Sequence, residues 1–208
     1  MGSEFIWGRK MTKSSGIRNA LIAAGFILAS TGASAAPIQW TTGTGANGHF
    51  YEFIATDVDW STALANAAAS THLGLQGYLA TVTSVEEDNF IFNSVSANLG
   101  WVGANDSQDE GVWRWVAGPE TGQIFFGPGA PGGAYSNWAG GEPNNCCGGE
   151  TFLHIHWNVM QWNDHGGPGN PGQVNGYFVE YAAPAPGALG LLGLGLLAMG
   201  LARRRSGS

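Results

Sequence analysis

The chain of 208 residues is long enough for one sizeable domain or two small ones, and 44% hydrophobic residues argue against wholesale disorder. Its 34 glycines and only 11% charged residues exclude a helical bundle or coiled coil. Between Pro37 and Ala183, Arg114 is the only Lys or Arg against fourteen acidic residues, a formal balance of 1 − 14 = −13. Such a charge repels phosphate backbones and anionic lipid headgroups, so nucleic acid is not expected as a partner and cations are.

The N-terminal segment has the features of a targeting signal rather than of a folded domain. Residues 1–10 have the character of an expression leader and are set aside. From Met11 a short basic region leads into an apolar run and then into Ala33-Ser34-Ala35. This order is typical of a secretory signal peptide over residues 11–35, and we expect cleavage after Ala35 and export of the protein.

The domain that follows is expected over residues 36–183, and its elements can be taken in chain order. A first strand is predicted at His49–Ile54, and Asp59 is a suitable cap for a helix. After a short strand at Gly77–Val82, Ser84 opens a capping-box pattern that predicts a second helix to about Ser94. Four further strands are then predicted, separated by Gly, Pro, Asn and Asp: Trp101–Gly103, Gly111–Val116, Phe152–Trp157 and Tyr177–Tyr181. Two early helices followed by short antiparallel strands predict an α+β domain.

The aromatic and histidine residues of these strands call for a separate interpretation. Trp113 and Trp115 alternate around Arg114 and are expected in the core. In the strand Phe152–Trp157, alternation predicts that Leu153, Ile155 and Trp157 are buried and that His154 and His156 point outward. The alternative is a zinc site built from these two histidines together with Cys146, Cys147 and His165, which are near in sequence.

Oxygen-bearing side chains concentrate around a long loop, Gly127 to Gly149, whose length is itself typical of functional loops. The loop and the residues after it supply three carboxylates and two amides: Glu142, Glu150, Asp164, Asn144 and Asn163. Hard oxygen donors without a soft ligand favour Ca²⁺, which takes six to eight oxygens, whereas zinc prefers His or Cys. Turn chemistry explains any one of these residues but not their clustering without a basic neighbour.

The only two cysteines, Cys146 and Cys147, are adjacent in the same loop. A bond between neighbours joins Cα atoms about 3.8 Å apart, which is below the usual range for disulfides. A vicinal disulfide, an intermolecular bridge and free thiols therefore all stay open, and none of them would staple the fold.

Several motifs occur in register with those of a known family. They are Gly77-Tyr-Leu-Ala-Thr-Val-Thr-Ser-Val-Glu-Glu, Trp101-Val-Gly-Ala, Glu110-Gly-Val-Trp-Arg-Trp, Tyr135-Ser-Asn-Trp138, Glu142-Pro143-Asn144, Gly149-Glu150 and Trp162-Asn163-Asp164. In order and spacing they resemble the C-type lectin-like domain over nearly its whole length. The resemblance implies an α+β fold in which two helices pack on short antiparallel sheets beside a long calcium-binding loop. The usual four cysteines of the family are missing, and Phe152 stands where one would be.

The resemblance also implies a ligand set. One Ca²⁺ would be held by Glu142, Asn144, Glu150, Asn163 and Asp164, with Pro143 in the cis form. A second Ca²⁺ would use positions matching Asp106, Glu110 and Asn145, although Asn145 and Thr151 replace acids there.

A sugar diol would then bind the first ion and the side chains around it. Carboxylates would accept its protons and amides would donate to its oxygens, with contacts from Glu142, Asn144, Glu150, Asn163 and His165. The alternative for His165 is a solvated loop histidine. By resemblance, Glu-Pro-Asn favours the equatorial diols of mannose, glucose or N-acetylglucosamine over galactose.

The C-terminal segment completes the expectations. Pro184-Ala-Pro186, sixteen apolar residues and Arg203–Arg205 resemble the PEP-CTERM sorting signal over residues 184–205, with Ala185 in place of its glutamate and residues 206–208 as a tail. At about 1.5 Å per residue the apolar run spans about 24 Å, short of the roughly 30 Å hydrocarbon core, so a weak anchor is the alternative to cleavage. The resemblance implies an exported protein at the surface or in the extracellular matrix of a Gram-negative bacterium, touching the membrane only through this segment.

The expected function is calcium-dependent carbohydrate binding, and not catalysis, because no nucleophile has a clear base and orienting group. Weak single-site affinity requires several copies, supplied by a homo-oligomer, by chains bridged through Cys146 or Cys147, or by a matrix. The alternative function on the same fold is adhesion, protein interaction or ice binding, with calcium only structural.

Overall fold

The computed structural model describes residues 35–167, 172 and 174–184. The leader, the signal peptide up to residue 34 and the sorting segment after Pro184 lie outside the described residues, so these expectations stay predictions. Within the described part of the chain, no helix combines the length and the apolar character needed to cross a membrane.

Two helices and ten strands make up the described fold. The helices are α1 (Trp60–Ala69) and α2 (Val85–Phe90), and α2 continues into a π-helical turn, Ile91–Val95. The strands are β1 (Ile38–Gln39), β2 (Phe50–Ile54), β3 (Thr71–His72), β4 (Leu75–Leu79), β5 (Gly100–Asn105), β6 (Trp113–Trp115), β7 (Ile124–Phe126), β8 (Phe152–Trp157), β9 (Gln161–His165) and β10 (Tyr177–Tyr181).

Both helices begin at the caps that the sequence predicts. The carboxylate of Asp59 accepts a hydrogen bond from the Thr62 amide at 2.7 Å. The Ser84 hydroxyl accepts from the amide of Glu87 at 3.2 Å, as in a capping box. The carboxylate of Glu87 binds the amide of Thr83 at 2.7 Å, one residue before the cap, and this tightens the entry into α2.

Strand β10 lies at the centre of the sheet and joins its halves. It pairs antiparallel with β2 and with β4, and parallel with β5 through Tyr177 and Trp101. The other pairings between these strands are antiparallel, and an isolated parallel bridge joins Trp138 to Trp162. The order along the main path is β1-β2-β10-β5-β6-β7, with β8 and β9 attached through β5. The α+β class is confirmed, with a sheet whose strand pairings are mostly antiparallel.

Large aromatic side chains fill the core on both sides of this sheet. Trp113 and Trp115 are buried in one cluster, which confirms the core interpretation of that hairpin. The second cluster joins α1 to the sheet through Trp60, whose indole donates to the carbonyl of Val102 at 2.8 Å. Strands β4 and β5 approach so closely at Gly103 that a Cβ there would lie 2.6 Å from the Leu79 carbonyl oxygen. The sheet thereby presents the ends of β8 and β9 beside the long loop.

Candidate functional site

The long loop between β7 and β8 is anchored to helix α2 by Asp88. This carboxylate is fully buried, and its Oδ2 accepts from the hydroxyl of Tyr135 (2.8 Å), the amide of Asn137 (3.2 Å) and the indole of Trp162 (3.0 Å). Burial raises the pKa of Asp88, and the three donors act against that rise. Sequence reasoning missed Asp88, since an acid in the first turns of a helix looks like any other solvated acid.

The next part of the loop turns tightly around Asp164. The Glu142–Pro143 peptide is cis, as the resemblance implied. Beyond it, the backbone N–H groups of Asn144 and Asn145 donate to the two oxygens of Asp164, at 3.1 and 2.8 Å. Asp164 is 1% exposed and so holds the turn from behind.

The adjacent cysteines form an intrachain vicinal disulfide, which selects one of the three states that the sequence left open. The backbone N–H of Cys146 donates to Asn144 Oδ1 at 2.9 Å and to Glu150 Oε2 at 3.1 Å. One amide of the disulfide segment therefore contacts two of the expected calcium ligands. The conformation of the disulfide segment is therefore coupled to the positions of the Asn144 and Glu150 side chains.

The hairpin β8–β9 departs from the predicted alternation. His154 pairs with Asn163 and Trp157 with Gln161, so three steps on β8 match two on β9, and the register shifts between them. His156, at φ +69°, lies within this bulge. The extra residue reverses the alternation, because a bulge places two residues opposite one.

The prediction for this strand was wrong for three of its side chains, and the bulge accounts for Trp157, which follows it. Leu153 and Ile155 are buried as expected, but His154 and His156 are buried too, and Trp157 is 43% exposed. Burial lowers the pKa of His154 to about 3 and that of His156 to about 4, so both rings are neutral near pH 7. The His156 ring contacts the carbonyl oxygen of Asn98 at 3.1 Å through Nδ1. Over the described residues, no set of three or more His, Cys, Asp or Glu side chains with metal-binding geometry is found, for zinc or for any other ion.

An open cavity of about 490 Å³ lies where the loop meets the end of this hairpin. It is lined by Leu99, Glu142, Asn144, Cys146, Glu150, His154, Trp157, Asn163, His165, Val174 and Asn175. Four of the five expected ligands of the first Ca²⁺ thus face one space. The fifth, Asp164, lies behind the wall, one residue along β9 from Asn163.

The acidic side of the cavity has little positive charge to balance it. Arg114, the only Lys or Arg among the described residues, pairs with Asp109 at 2.9 Å on another part of the surface. Burial and the neighbouring carboxylates of Asp164 and Glu150 raise the pKa of Glu142. Its Oε2 atom is buried and lacks a hydrogen-bond partner in the described chain.

These features fit a hard cation. An orphaned buried carboxylate oxygen, the Glu150 carboxylate and two amides line the cavity, with the buried Asp164 carboxylate behind them, and Ca²⁺ takes oxygen donors of this kind. Two of these side chains contact histidines of the β8–β9 hairpin: Asn163 Nδ2 lies 3.2 Å from His154 Nε2, and Glu150 Oε1 lies 3.4 Å from His165 Nδ1. An ion would replace such internal contacts.

The residues expected around a second ion divide into two groups. Asp106 and Glu110 lie close together, and burial together with the Glu110 carboxyl raises the pKa of Asp106 to about 6. Asp106 Oδ2 accepts from the Gly111 amide at 2.9 Å, whereas its buried Oδ1 has no partner within the described chain. Asn145 is bonded instead to the amide of Glu150, through its Oδ1 at 2.7 Å.

His165, at the end of β9, is one of the residues that line the cavity. Its ring stacks on Trp101 with the centroids 5.9 Å apart and the planes 16° from parallel. The side chain is 34% exposed, so it is neither a core histidine nor freely solvated.

Comparison with known proteins identifies a family that matches this chain. The model of the family described as "Lectin C-type domain" matches residues 61–167. Halomucin of Haloquadratum walsbyi is 41% identical over 142 residues, which are 66% of this chain and 2% of halomucin. The hepatic lectin of Gallus gallus is 29% identical over 117 residues, 56% of this chain and 49% of that protein. The chain therefore spans only a small part of the first relative and about half of the second.

A solved structure gives the same architecture. The C-type carbohydrate-recognition domain of cow CD23, crystallised in the presence of a GlcNAc2Man3 oligosaccharide, is 24% identical. It aligns with a TM-score of 0.50 over 66% of this chain and 90% of that one. At this identity the likeness concerns the fold, and the fold expected from the sequence motifs is confirmed.

Proposed function

The chain belongs to the C-type lectin domain family, and on this premise we propose that its cavity binds a carbohydrate through a calcium ion. The family is in general non-enzymatic, in agreement with the expectation from the sequence. The observation that carries the proposal is the orphaned, buried Oε2 of Glu142, which lies in a cavity with three other oxygen-bearing side chains and no Lys or Arg.

The residues proposed to hold the ion are the five expected from the sequence: Glu142, Asn144, Glu150, Asn163 and Asp164. When bound, Ca²⁺ supplies a positive centre with coordination positions that sugar hydroxyls take in place of water. The protein side chains read the same hydroxyls, because carboxylate oxygens accept their protons and amide N–H groups donate to their lone pairs. His165 is proposed as a further contact to the sugar from the hairpin side.

The proposed selectivity follows from the order of acceptor and donor around the diol. An acid at Glu142 and an amide at Asn144 favour the equatorial diols of mannose, glucose and N-acetylglucosamine. The double substitution Glu142→Gln, Asn144→Asp exchanges the acceptor and donor sides, and we expect preference to move toward galactose.

The proposed setting is outside the cell. The predicted signal peptide and sorting segment would export the protein to a surface or matrix, where repeated copies convert weak binding into avidity. A single diol contact typically has millimolar affinity, about −4 kcal/mol, so display in many copies is part of the proposal.

The proposal is tested by glycan-array binding of the full chain, once with calcium and once with a chelator. We expect binding to mannose-type glycans that disappears with the chelator, and its loss in Glu142→Gln. Asp57→Asn, which removes a carboxylate from an exposed position before α1, is the matched control and should bind like the parent protein. Retained binding in chelator would overturn the calcium mechanism.

A second possible outcome concerns the rival function. Calcium that protects the domain from unfolding, with no glycan signal at any density, would favour adhesion or protein interaction with a structural ion.

A further inference from the structure

The cavity lining combines two kinds of side chain. Besides the oxygen-bearing side chains expected to hold the ion, it includes the apolar side chains of Leu99, Trp157 and Val174. Its volume of about 490 Å³ lies in the range of about 300–1,000 Å³ that holds drug-sized ligands, which are larger than one pyranose ring. A monosaccharide held at the proposed calcium site would therefore leave part of the cavity unfilled.

The bulge in β8 directs Trp157 to this cavity. Without the extra residue, Trp157 would lie on the same face as Leu153 and Ile155, which are both buried. With it, Trp157 lies opposite Gln161 and shares a face with His154 and its partner. Bulges beside binding sites commonly re-aim a side chain in this way.

The indole is also held in position by its neighbours. The ring of His154 contacts that of Trp157 edge to face, with centroids 5.9 Å apart, and His154 is itself 2% exposed. His154 Nε2 lies 3.2 Å from Asn163 Nδ2. A chain of contacts therefore runs from a proposed calcium ligand to an aromatic ring that is 43% exposed.

We propose that Trp157, with Leu99 and Val174, forms a second subsite that takes the next sugar ring of an oligosaccharide bound at the calcium site. The inference rests on the proposed function and deepens it. An indole presents an apolar face at low conformational cost, and the C–H-rich face of a pyranose is its natural partner. A domain that reads a terminal disaccharide discriminates among glycans that share the same terminal diol.

The test compares methyl α-mannoside with methyl α-mannobioside by isothermal titration calorimetry on the full chain with calcium. We expect the disaccharide to bind about three- to tenfold more tightly, as befits one aromatic contact. Trp157→Ala should abolish this advantage, measured as the ratio of the affinities for the two sugars in the same variant. Val159→Ala, which shortens a 71% exposed side chain in the turn of the same hairpin outside the cavity, should keep the advantage.

Trp157→Tyr keeps an aromatic face and should retain most of the advantage, which separates a lost contact from a damaged fold. The indole N–H resonance of Trp157 provides a second measurement, since it should shift with the disaccharide and not with the monosaccharide. Equal affinity for the two sugars, or an advantage that survives Trp157→Ala, would overturn the subsite and leave the calcium site standing. Failure of both sugars to bind would overturn the proposed function and the subsite together.

Discussion

The buried carboxylate of Asp88 joins helix α2 to the long loop, and its removal is the most informative perturbation of the fold. Asp88→Ala leaves three donors without their acceptor, those of Tyr135, Asn137 and Trp162. A hydrogen bond to a charged group contributes about 1.5–3 kcal/mol. Because three bonds to one oxygen are not additive, we take about 4 kcal/mol as the expected loss in the free energy of unfolding.

Urea unfolding measures this loss directly. In a domain of this size each kcal/mol corresponds to about 2–4 °C, so the melting temperature should fall by about 8–16 °C. Asn89→Ala is the matched control, since this neighbour is exposed and its side chain donates to the carbonyl of Val85 within the same helix, and its effect should stay within about 0.5 kcal/mol. A loss below about 1 kcal/mol in Asp88→Ala would refute the anchoring role.

The isosteric change Asp88→Asn provides a finer comparison. Asp88 Oδ1 lies 3.8 Å from Nε2 of His156, whose Nδ1 contacts the carbonyl oxygen of Asn98, so two acceptors face each other. An amide N–H₂ at this position would face the ring as a donor while the remaining oxygen still accepts. The expected loss is therefore smaller than for Asp88→Ala, and an equal loss would contradict this explanation.

Two further predictions concern a buried pair and the disulfide. Burial lowers the pKa of His49. The hydrogen bond to Glu180 at 2.6 Å and the charge of Glu180 outweigh this effect and raise the pKa. The pair therefore stabilises the fold fully below the unfolded pKa of about 6.5 and less as pH rises through the folded value. Urea titrations at pH 5.5 and 9 should find His49→Gln destabilised mainly at the lower pH; an equal loss at both would contradict the pairing. A dithiol that reduces Cys146–Cys147 should change the melting temperature little, since the closed loop is short, yet weaken calcium binding because the Cys146 amide contacts Glu150. Calcium titrations before and after reduction measure this, and identical affinities would separate the disulfide from the site.

Local patterns predicted much of this fold because they act over a few residues. Asp59 and Ser84 mark both helix starts, since a cap needs only the next turn to form its bond. Trp113 and Trp115 are buried as their alternation predicts. The cluster of loop acids and amides was also visible, and four of its five members face one cavity.

Features set by tertiary contacts could not be predicted in this way. The bulge at His156 inserts one residue without a mark in the pattern of β8, so Trp157 was assigned to the core. Asp88 looks like a surface acid until the loop folds over it, and its partners are 47 or more residues away. The parallel contact of Tyr177 with Trp101 likewise joins residues far apart in the sequence, which no local pattern marks.

Calcium binding itself is the claim on which the function and the subsite both depend. Isothermal titration of CaCl2 into the chelator-treated full chain measures it without any sugar. We predict saturable heat for the parent protein and its loss in Glu142→Gln, whose wild-type carboxylate holds the orphaned oxygen. No heat in the parent protein, or the same heat in the variant, would contradict the account.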